Sequence, residues 1–405
     1  MSAAVSKRQK QLIHEIATEE GFKTYKVDFD QGSLKGDGYM GTIILVKIED
    51  AETQRVLHLI LKVAQQSEQL REKTPVCQAY ERENFMYEVV HKEFQKLQDE
   101  YKVQPTFDGI PKYYKGLNEI NEECLVLENL KEIGFKLWDR KKPMDSNHVA
   151  AVMAQYGKYH ALSHALKKLK PEKYKEISGN LFDIFEKTMN EEDFRKSVEQ
   201  EIEKAKRTFE NDPKIVEVIQ KFPEISQSYF KGVMEPNEKD VIIHGDCWCN
   251  NIMFKYGIEP NKPSKTYLLD WQLSSKGSPL RDITYFFYVC SSKECFSDYK
   301  TYLKIYHDSL SNMLQNFGLN VEDIMTFEYL QTEWKKFAQF GMYTALLLIK
   351  IMLVEKEEAP DLKEMLEEEE NKNIIDFFNF NISNEEEYKN RLRVIIDFMV
   401  ENEFV

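Results

Sequence analysis

Residues 244–254 read HGDCWCNNIMF, and residues 268–272 read LLDWQ. A short apolar run leads into each stretch, VII at 241–243 and KTYLL at 265–269. Runs of this kind form buried β-strands. Asp246 follows the first run, Asn251 comes five positions later, and Asp270 ends the second run. Side chains at a loop and at a strand end can meet at one point. The two stretches therefore predict a polar site built from Asp246, Asn251 and Asp270.

Two carboxylates and a carboxamide in this order are typical of phosphoryl transfer. One aspartate accepts the proton of the acceptor hydroxyl, while the asparagine and the second aspartate hold the Mg²⁺ that bridges the nucleotide phosphates. The pattern matches H-R-D-L-x-x-x-N followed by D-F-G, with Gly245 in place of the arginine and Trp271 in place of the phenylalanine. We therefore predict Asp246 as the catalytic base and Asn251 and Asp270 as metal ligands. The alternative is an Asp/Asn turn between core strands.

A lysine upstream supports the phosphoryl-transfer interpretation. Lys62 lies in LILKV, the third strand-like run, where a kinase places the lysine that contacts the α- and β-phosphates. Glu83, in YERENFMY on the following predicted helix, is the natural partner for its charge, and Glu81 lies on a different face of that helix. The alternative for Lys62 is an edge-strand lysine whose ammonium group reaches water.

Two backbone features would complete a nucleotide site. GDGYMG at 36–41 matches G-x-G-x-x-G and precedes a strand, which favours a hairpin over phosphates (Gly36, Gly38 and Gly41) and argues against a Rossmann turn. The alternative is a plain hairpin turn. ECLVLENL at 123–130 is an extended run entering a linker, so Glu128, Asn129 and Leu130 are candidates to offer backbone groups to an adenine ring.

Composition limits the class of protein. The 405 residues are 42% hydrophobic and carry a formal charge of −14, which fits a globular chain and disfavours nucleic-acid and anionic-membrane partners. Six cysteines are too few for a disulfide framework, so a reduced, cytoplasmic compartment is predicted. Residues 1–20 are polar and charged without the apolar core of a secretory signal, and the apolar run 340–354 is predicted to be a core helix.

The pattern along the chain predicts an α+β protein of two lobes. Strand-like runs at 22–29, 41–49, 55–63, 112–115 and 123–128, with one helical stretch at 74–99, indicate a small antiparallel sheet. Helical periodicity dominates after residue 130, as at 147–169, 192–209, most of 296–354 and 388–401. We predict an N-terminal nucleotide-binding lobe at 1–130, a hinge at about 127–131, and a helical C-terminal lobe at 131–405 carrying the catalytic loop and acceptor site.

Two other clusters invite a metal interpretation. Cys247 and Cys249 flank a tryptophan near His244, but no second pair of cysteines exists to complete a zinc site. His160 and His164 are four residues apart on one helix without an HExxH glutamate. We predict that these cysteines and histidines serve packing or loop support.

Taken together, these residues resemble the ecdysteroid kinase-like family, in the aminoglycoside phosphotransferase and choline kinase branch of the protein kinase-like fold. The similarity spans nearly the whole chain, including YHALSHA at 159–165 and GSPLRDITYFF at 277–287. It implies a bilobal fold, ATP and Mg²⁺ as cofactors, and phosphorylation of a small-molecule hydroxyl, with an ecdysteroid or a similar sterol-like or xenobiotic alcohol as acceptor. It also implies that Asp282 and His160 support the catalytic loop. Gly38, Gly41 and Asn129 depart from the family's usual residues.

Two alternatives stay open at this point. The acceptor could be choline, ethanolamine or an aminoglycoside-like amine, since an acidic protein suits a cation. The chain could instead be a nucleotide-binding pseudokinase, although five retained polar residues argue against it. Trp334, Phe337, Phe340, Tyr343 and the YFFYV run at 285–289 offer aromatic surface for an apolar acceptor, and helical spacing favours the core for most of them. The sequence indicates no protein partner.

Overall fold

An antiparallel sheet forms the N-terminal part of the protein. The computed structural model describes residues 5–32, 41–184, 191–221, 235–355, 358 and 382–405. Five strands pair in the order β1-β2-β3-β5-β4. Their bounds are β1 Tyr25–Gln31, β2 Gly41–Asp50, β3 Val56–Ala64, β4 Tyr113–Leu117 and β5 Cys124–Glu128. In front of them, helix α1 (Lys7–Glu19) begins at a Ser6 capping box, which satisfies free N–H groups at the helix start.

A long helical segment connects β3 to β4. It consists of α2 (Glu68–Lys73), α3 (Val76–Phe85), a π-helical turn (Met86–His91) and α4 (Lys92–Tyr101). The sequence predicts one helix over 74–99, and the structure adds the separate α2 and the π turn. This segment places Glu83 next to Lys62, which lies near the C-terminal end of β3.

Helices dominate the rest of the chain. In order they are α5 (Ser146–Leu169), α6 (Pro171–Ser178), α7 (Glu191–Thr208), α8 (Pro279–Cys290), α9 (Lys293–Ser297), α10 (Tyr299–Asn316), α11 (Phe327–Leu353) and α12 (Glu385–Glu401). Asp145 caps the start of α5, where its side chain accepts hydrogen bonds from the N–H groups of Asn147 and His148. The predicted α+β architecture is confirmed, while the division of the chain near residue 130 stays a prediction.

Two small sheets interrupt the helices and hold the chemically informative stretches. β7 (Val241–Ile243) pairs with β10 (Ser275–Gly277). β6 (Lys136–Leu137), β8 (Ile252–Tyr256) and β9 (Pro263–Leu268) form the second sheet. HGDCWCNNIMF thus runs from β7 into β8, and LLDWQ leaves β9. This connection brings the two stretches side by side.

The hydrophobic core has two main parts. One lies between α1 and the outer face of the sheet, with Leu12, Ile16, Val46 and Leu61. The larger part joins the C-terminal helices and extends into α3, the π turn and α4 through side chains that are all buried: Val76, Tyr80, Met86, Val90, Phe94 and Leu97. The helix of Glu83 therefore packs on the C-terminal helices as well as on its own sheet.

Helix α11 contains most of the longest apolar run. Among the described residues it is the one helix long and apolar enough to cross a membrane, and 61% of its most apolar window is buried inside the protein. Met342, Ala345 and Leu346 on this helix belong to the large core. This burial agrees with the prediction of a core helix.

Candidate active site

Lys62 is the centre of the site. It lies on β3, between β2 and β5, so its side chain leaves the middle of the sheet. Its Nζ donates to Glu83 Oε2 at 2.7 Å and to Asp270 Oδ1 at 2.8 Å. The Lys62 side chain is 11% exposed and that of Glu83 1%, whereas Asp270 is 30% exposed. The structure thus brings together three of the residues that the sequence predicts as a site.

Burial and the neighbouring charges together set the pKa values of Lys62 and Glu83. Burial alone would lower the pKa of Lys62, but the carboxylates of Asp270 and Glu83 raise that pKa to about 12. Burial raises the pKa of Glu83, with Asp270 adding to the increase and Lys62 opposing it. Lys62 is therefore positively charged at neutral pH, and its ammonium group binds the carboxyl groups of both Glu83 and Asp270.

Asp246 lies in the loop after β7 and is held by two donors. Asn251 Nδ2 donates to its Oδ2 at 2.7 Å, and the Tyr285 hydroxyl donates to its Oδ1 at 2.9 Å. Burial raises the pKa of Asp246 to about 6, the charge of Asp270 adds to the increase, and the two hydrogen bonds oppose it. Asp246 is therefore a carboxylate at neutral pH and a stronger proton acceptor than a surface aspartate.

The Asn251 amide has a defined orientation. Its Nδ2 also donates to the backbone oxygen of Asp246 at 3.1 Å, and its own backbone oxygen accepts from the N–H of Leu269 at 2.9 Å. The amide nitrogen thus faces Asp246, which leaves Oδ1 to face the other way. The backbone contact with Leu269 brings Asn251 close to the residue before Asp270, and a carboxamide oxygen and a partly exposed carboxylate are ligands that suit a hard divalent cation.

No preformed metal cage accompanies this pair. Among the described residues, no group of three His, Cys, Asp or Glu side chains could hold a metal ion. Magnesium at nucleotide sites takes one or two protein ligands and completes its shell with phosphate oxygens and water. The Asn251 and Asp270 pair fits that requirement. Cys247 and Cys249 are both buried, in agreement with the predicted packing role.

Asp282 holds the loop that carries Asp246. Its Oδ2 accepts from the His244 N–H at 2.7 Å, and its Oδ1 accepts from the Gly245 N–H at 2.9 Å. His160 Nε2 lies 3.1 Å from Oδ2, so the two residues that the family resemblance implies as supports lie where expected. Gly245 has φ +87°, and a Cβ there would lie 2.2 Å from the Leu273 oxygen, so only glycine fits.

Asp270 adopts an uncommon backbone conformation. Its φ is +64°, in the left-handed region that non-glycine residues rarely enter. In the amide orientation that satisfies both polar atoms, Gln272 accepts from Lys62 at 3.2 Å and donates to Asp270 at 3.3 Å. The strained backbone of Asp270 can persist because surrounding contacts enforce it, and strain of this kind is common at functional sites.

The glycine hairpin is only partly within the described residues. Gly36 and Gly38 lie outside them, and Gly41 begins β2. A Cβ at Gly41 would lie 2.0 Å from the Tyr80 hydroxyl and 2.8 Å from the Val63 oxygen. Glycine is therefore required at position 41 for close packing of β2 against α3.

The hinge residues differ in what their backbones can offer. The Glu128 N–H donates to Lys112 O at 2.8 Å, and the Asn129 N–H donates to His58 O at 3.1 Å. In the described part of the chain, the Leu130 N–H has no acceptor. Leu130, Phe135 and Met253 form a small apolar cluster, against which Leu269 packs just before Asp270. Among the three predicted positions, Leu130 is thus the one with a free backbone donor.

Sequence reasoning missed Tyr285 as part of the site. It treated the YFFYV run as core or acceptor surface, and Phe286, Phe287 and Tyr288 are indeed buried in the core. Tyr285 lies three residues after Asp282 on α8, so both face the catalytic loop. That spacing is the signal that could have identified it. Trp334 and Phe337 lie in the core, and Phe340 and Tyr343 pack partly buried against it.

Comparison with known proteins finds a matching family and a distant curated relative. The model of the ecdysteroid kinase-like family matches residues 35–319. A 4-hydroxytryptamine kinase from Psilocybe cubensis is 23% identical over 300 residues, which cover 71% of this chain and 76% of that protein.

Three solved structures are similar at low sequence identity. The GDP complex of aminoglycoside 2'-phosphotransferase-IIIa is 11% identical, with 97% of this chain and 99% of that chain covered and a TM-score of 0.44. The Plasmodium vivax ethanolamine kinase is 14% identical, with 94% and 83% covered and a TM-score of 0.41. A spectinomycin phosphotransferase in complex with ADP and spectinomycin is 12% identical, with 93% and 98% covered and a TM-score of 0.43.

Proposed function

The chain belongs to the ecdysteroid kinase-like family, a family of small-molecule phosphotransferases, and we propose that it transfers the γ-phosphoryl group of ATP to a hydroxyl group of its acceptor. The observation that carries this proposal is the Lys62 ammonium group, which bridges Glu83 at 2.7 Å and Asp270 at 2.8 Å. A buried cation aligned by one carboxylate beside a second, partly exposed carboxylate is suited to bind phosphate oxygens.

The nucleotide would bind between the sheet and the small sheet of β6, β8 and β9. Lys62 would contact its phosphates, with Glu83 fixing the lysine, and the glycine hairpin Gly36–Gly41 would cover them. The free N–H of Leu130 would donate to the adenine edge, and Met253 and Leu269 would lie beneath the ring. Glu128 and Asn129 would contribute through their backbone oxygens and the shape of the hinge.

Mg²⁺ would be held by Asn251 Oδ1 and the carboxylate of Asp270. The ion supplies positive charge that offsets the phosphate charges and orients them. The orientation of the Asn251 amide supports this assignment, because its nitrogen is already occupied by Asp246.

Asp246 would act as the general base. Its carboxylate would accept the proton of the acceptor hydroxyl as the hydroxyl oxygen bonds to the γ-phosphorus and the bond from that phosphorus to the bridging oxygen breaks. Tyr285 and Asn251 would aim the carboxylate, since each binds one of its oxygens. Most of the catalytic effect would come from position and fixed charge.

The acceptor we propose is an ecdysteroid or a similar sterol-like or xenobiotic alcohol. The family description supports a polycyclic alcohol, and the Psilocybe cubensis relative is named for a hydroxylated aromatic compound. A cytoplasmic location and the absence of nucleic-acid and membrane partners remain predictions from the sequence, which indicates no protein partner.

A phosphorylation screen tests the proposed function. Purified protein is incubated with ATP and MgCl₂ and a panel of ecdysteroids, sterols, phenols, choline, ethanolamine and an aminoglycoside, and products are identified by mass spectrometry. We expect phosphorylated alcohols from the polycyclic or phenolic arm. Product only with choline, ethanolamine or the aminoglycoside would overturn the acceptor class. If the protein forms no product and binds no nucleotide, the enzyme assignment is wrong.

Asp246→Asn is the matched variant for the base. It keeps the size of the side chain but removes its proton affinity, so we expect kcat to fall at least about 100-fold. Asp108→Asn, an exposed aspartate paired with Lys265, is the control and should keep its rate. An unchanged rate in Asp246→Asn would show that another group accepts the proton.

A further inference from the structure

Arg82 is a buried cation that the proposed mechanism leaves unused. It precedes Glu83 on α3 and is only 5% exposed. Its Nη1 donates to Phe182 O at 2.8 Å and to Ser274 O, and its Nη2 donates to Asn180 O at 3.3 Å. These acceptors belong to two distant segments, one after α6 and one after Asp270. Arg82 therefore fastens the helix of Glu83 to the C-terminal part of the protein.

The hydrogen bonds of Arg82 require a defined orientation of its guanidinium group. Within the described residues, no carboxylate forms an ion pair with Arg82, although the charge of Asp183 acts on it from farther away, so its direct hydrogen-bond partners are backbone oxygens. Burial lowers the pKa of Arg82 to about 10, and it is still charged at neutral pH. A buried guanidinium group is stable only when its planar donors are filled, and a lysine cannot reproduce that fork.

The Ser274 contact leads on to the catalytic loop. Ser274 is fully buried, and its hydroxyl donates to the His244 oxygen at 3.2 Å. His244 lies two residues before Asp246, and its Nε2 lies 2.8 Å from the Leu269 oxygen, next to Asp270. One continuous set of hydrogen bonds thus runs from α3 to the loops of both aspartates.

We propose that Arg82 is a positioning residue that fixes Glu83, and through it Lys62, relative to Asp246 and Asp270. This inference rests on the proposed function, because it concerns the alignment of the same groups. Arg82 is not itself a phosphate ligand, since its donors are buried and directed at backbone oxygens.

Steady-state kinetics test the positioning role. Arg82→Met removes all three hydrogen bonds, and Arg82→Lys keeps the charge but not the fork. We expect kcat of Arg82→Met to fall about 10- to 100-fold at a temperature well below unfolding, because a displacement of about 1 Å costs on the order of 100-fold. We expect the acceptor KM to stay within about threefold, and Arg82→Lys to be intermediate.

Arg140 provides a matched control. Its guanidinium group also binds three backbone oxygens, those of Ile351, Met352 and Val354 at 2.6 to 2.8 Å, and none of these acceptors belongs to the candidate site. Arg140→Met should lower the melting temperature without lowering kcat. If Arg82→Met likewise loses only thermal stability, Arg82 is merely structural and the proposal is wrong.

Two further measurements separate this proposal from the proposed function. Hydrogen exchange should become faster at 76–85 and 271–275 in Arg82→Met than in wild type, and Arg140→Met should leave both segments unchanged. This readout needs no turnover, so it tests the attachment even if the screen finds no product, and unchanged exchange would overturn it.

Where turnover is measured, the rate losses of Arg82→Met and Glu83→Gln should be less than additive, because both act through Lys62. Full additivity would contradict the coupling.

Discussion

At the scale of single residues, the surroundings of Asp246 set the pKa of the carboxyl group that we propose as the general base. Its burial and the neighbouring Asp270 favour the neutral form, and the donors Tyr285 and Asn251 favour the charged form. The balance leaves its pKa at about 6, close to the working range of a general base at neutral pH. Small changes in the surrounding hydrogen bonds should therefore change the pH dependence of the rate.

Removing the Tyr285 hydroxyl tests this balance. Tyr285→Phe removes one donor to the charged form of Asp246, so the pKa of Asp246 should rise. Activity requires the deprotonated carboxylate and falls as pH falls through that pKa. We therefore expect the acid limb of the kcat/KM profile to move to higher pH by about 0.5 to 1, since one such hydrogen bond contributes about 1 kcal/mol.

Tyr256→Phe is the control for this prediction. The Tyr256 hydroxyl lies 2.9 Å from His148 Nε2, outside the set of residues that contact Asp246, so its loss should leave the limb in place. A uniform loss of rate in Tyr285→Phe, with the limb at its wild-type pH, would contradict the assignment of Asp246.

At the scale of elements, the helix that carries Glu83 is fixed on two sides. The π turn at Met86–His91 places the His91 ring 4.4 Å from the Trp271 ring, measured between centroids, and Trp271 directly follows Asp270. Such turns within α-helices are often found at functional sites. On the other side, Tyr80 of α3 fills the space that the missing side chain of Gly41 leaves in β2.

Gly41→Ala should disturb that packing. The new Cβ would lie 2.0 Å from the Tyr80 hydroxyl, so we expect a loss of about 1 to 3 kcal/mol in the free energy of unfolding, measured with denaturant. Tyr80→Phe in the same chain removes the clashing oxygen and should restore part of the loss. The contact with the Val63 oxygen at 2.8 Å would remain. No recovery in the double variant would mean that the strain lies elsewhere.

At the scale of the whole molecule, Lys62 and Asp270 join the sheet to the C-terminal part of the chain across 208 residues of sequence. A nucleotide that binds Lys62 on one side and Asn251 and Asp270 on the other should hold the two parts together. Ligand binding to the folded state alone raises stability by mass action.

MgATP should therefore stabilise the protein against unfolding. At about 100 times its Kd, we expect a gain of about 2.7 kcal/mol in the free energy of unfolding, seen as a higher melting temperature. Lys62→Met should lose most of this gain, since the cation for the phosphates is gone. Removal of Mg²⁺ with a chelator should also reduce it.

Lys47→Met is the matched control, because it makes the same substitution on the neighbouring strand. Lys47 forms a partly exposed ion pair with Glu49 and should leave the MgATP effect intact. An equal gain in wild type and Lys62→Met would show that Lys62 does not bind the nucleotide.

Much of the candidate site could be predicted from the sequence because its residue types are uncommon in their settings. Asp246 and Asp270 closely follow apolar strands, and Lys62 interrupts one, so each is conspicuous without any structure. Tyr285 and Arg82 are not conspicuous, because a tyrosine in an aromatic helix suggests core and an arginine in a charged helix suggests surface. Their contacts, with Asp246 at 2.9 Å and with Phe182 O at 2.8 Å, depend on how the helices pack.

The amino-acid sequence was enough to predict most of the strands and helices in order and the polar groups available for chemistry. Local spacing is enough for this, since side chains alternate along a strand and recur every three to four residues on a helix. Which atoms meet depends on the tertiary structure, as for the Leu130 N–H, which has no acceptor among the described residues, the donors on Asp246 and the carbonyl oxygens around Arg82. Those contacts depend on the packing of segments far apart in the chain, and local spacing carries no information about that packing.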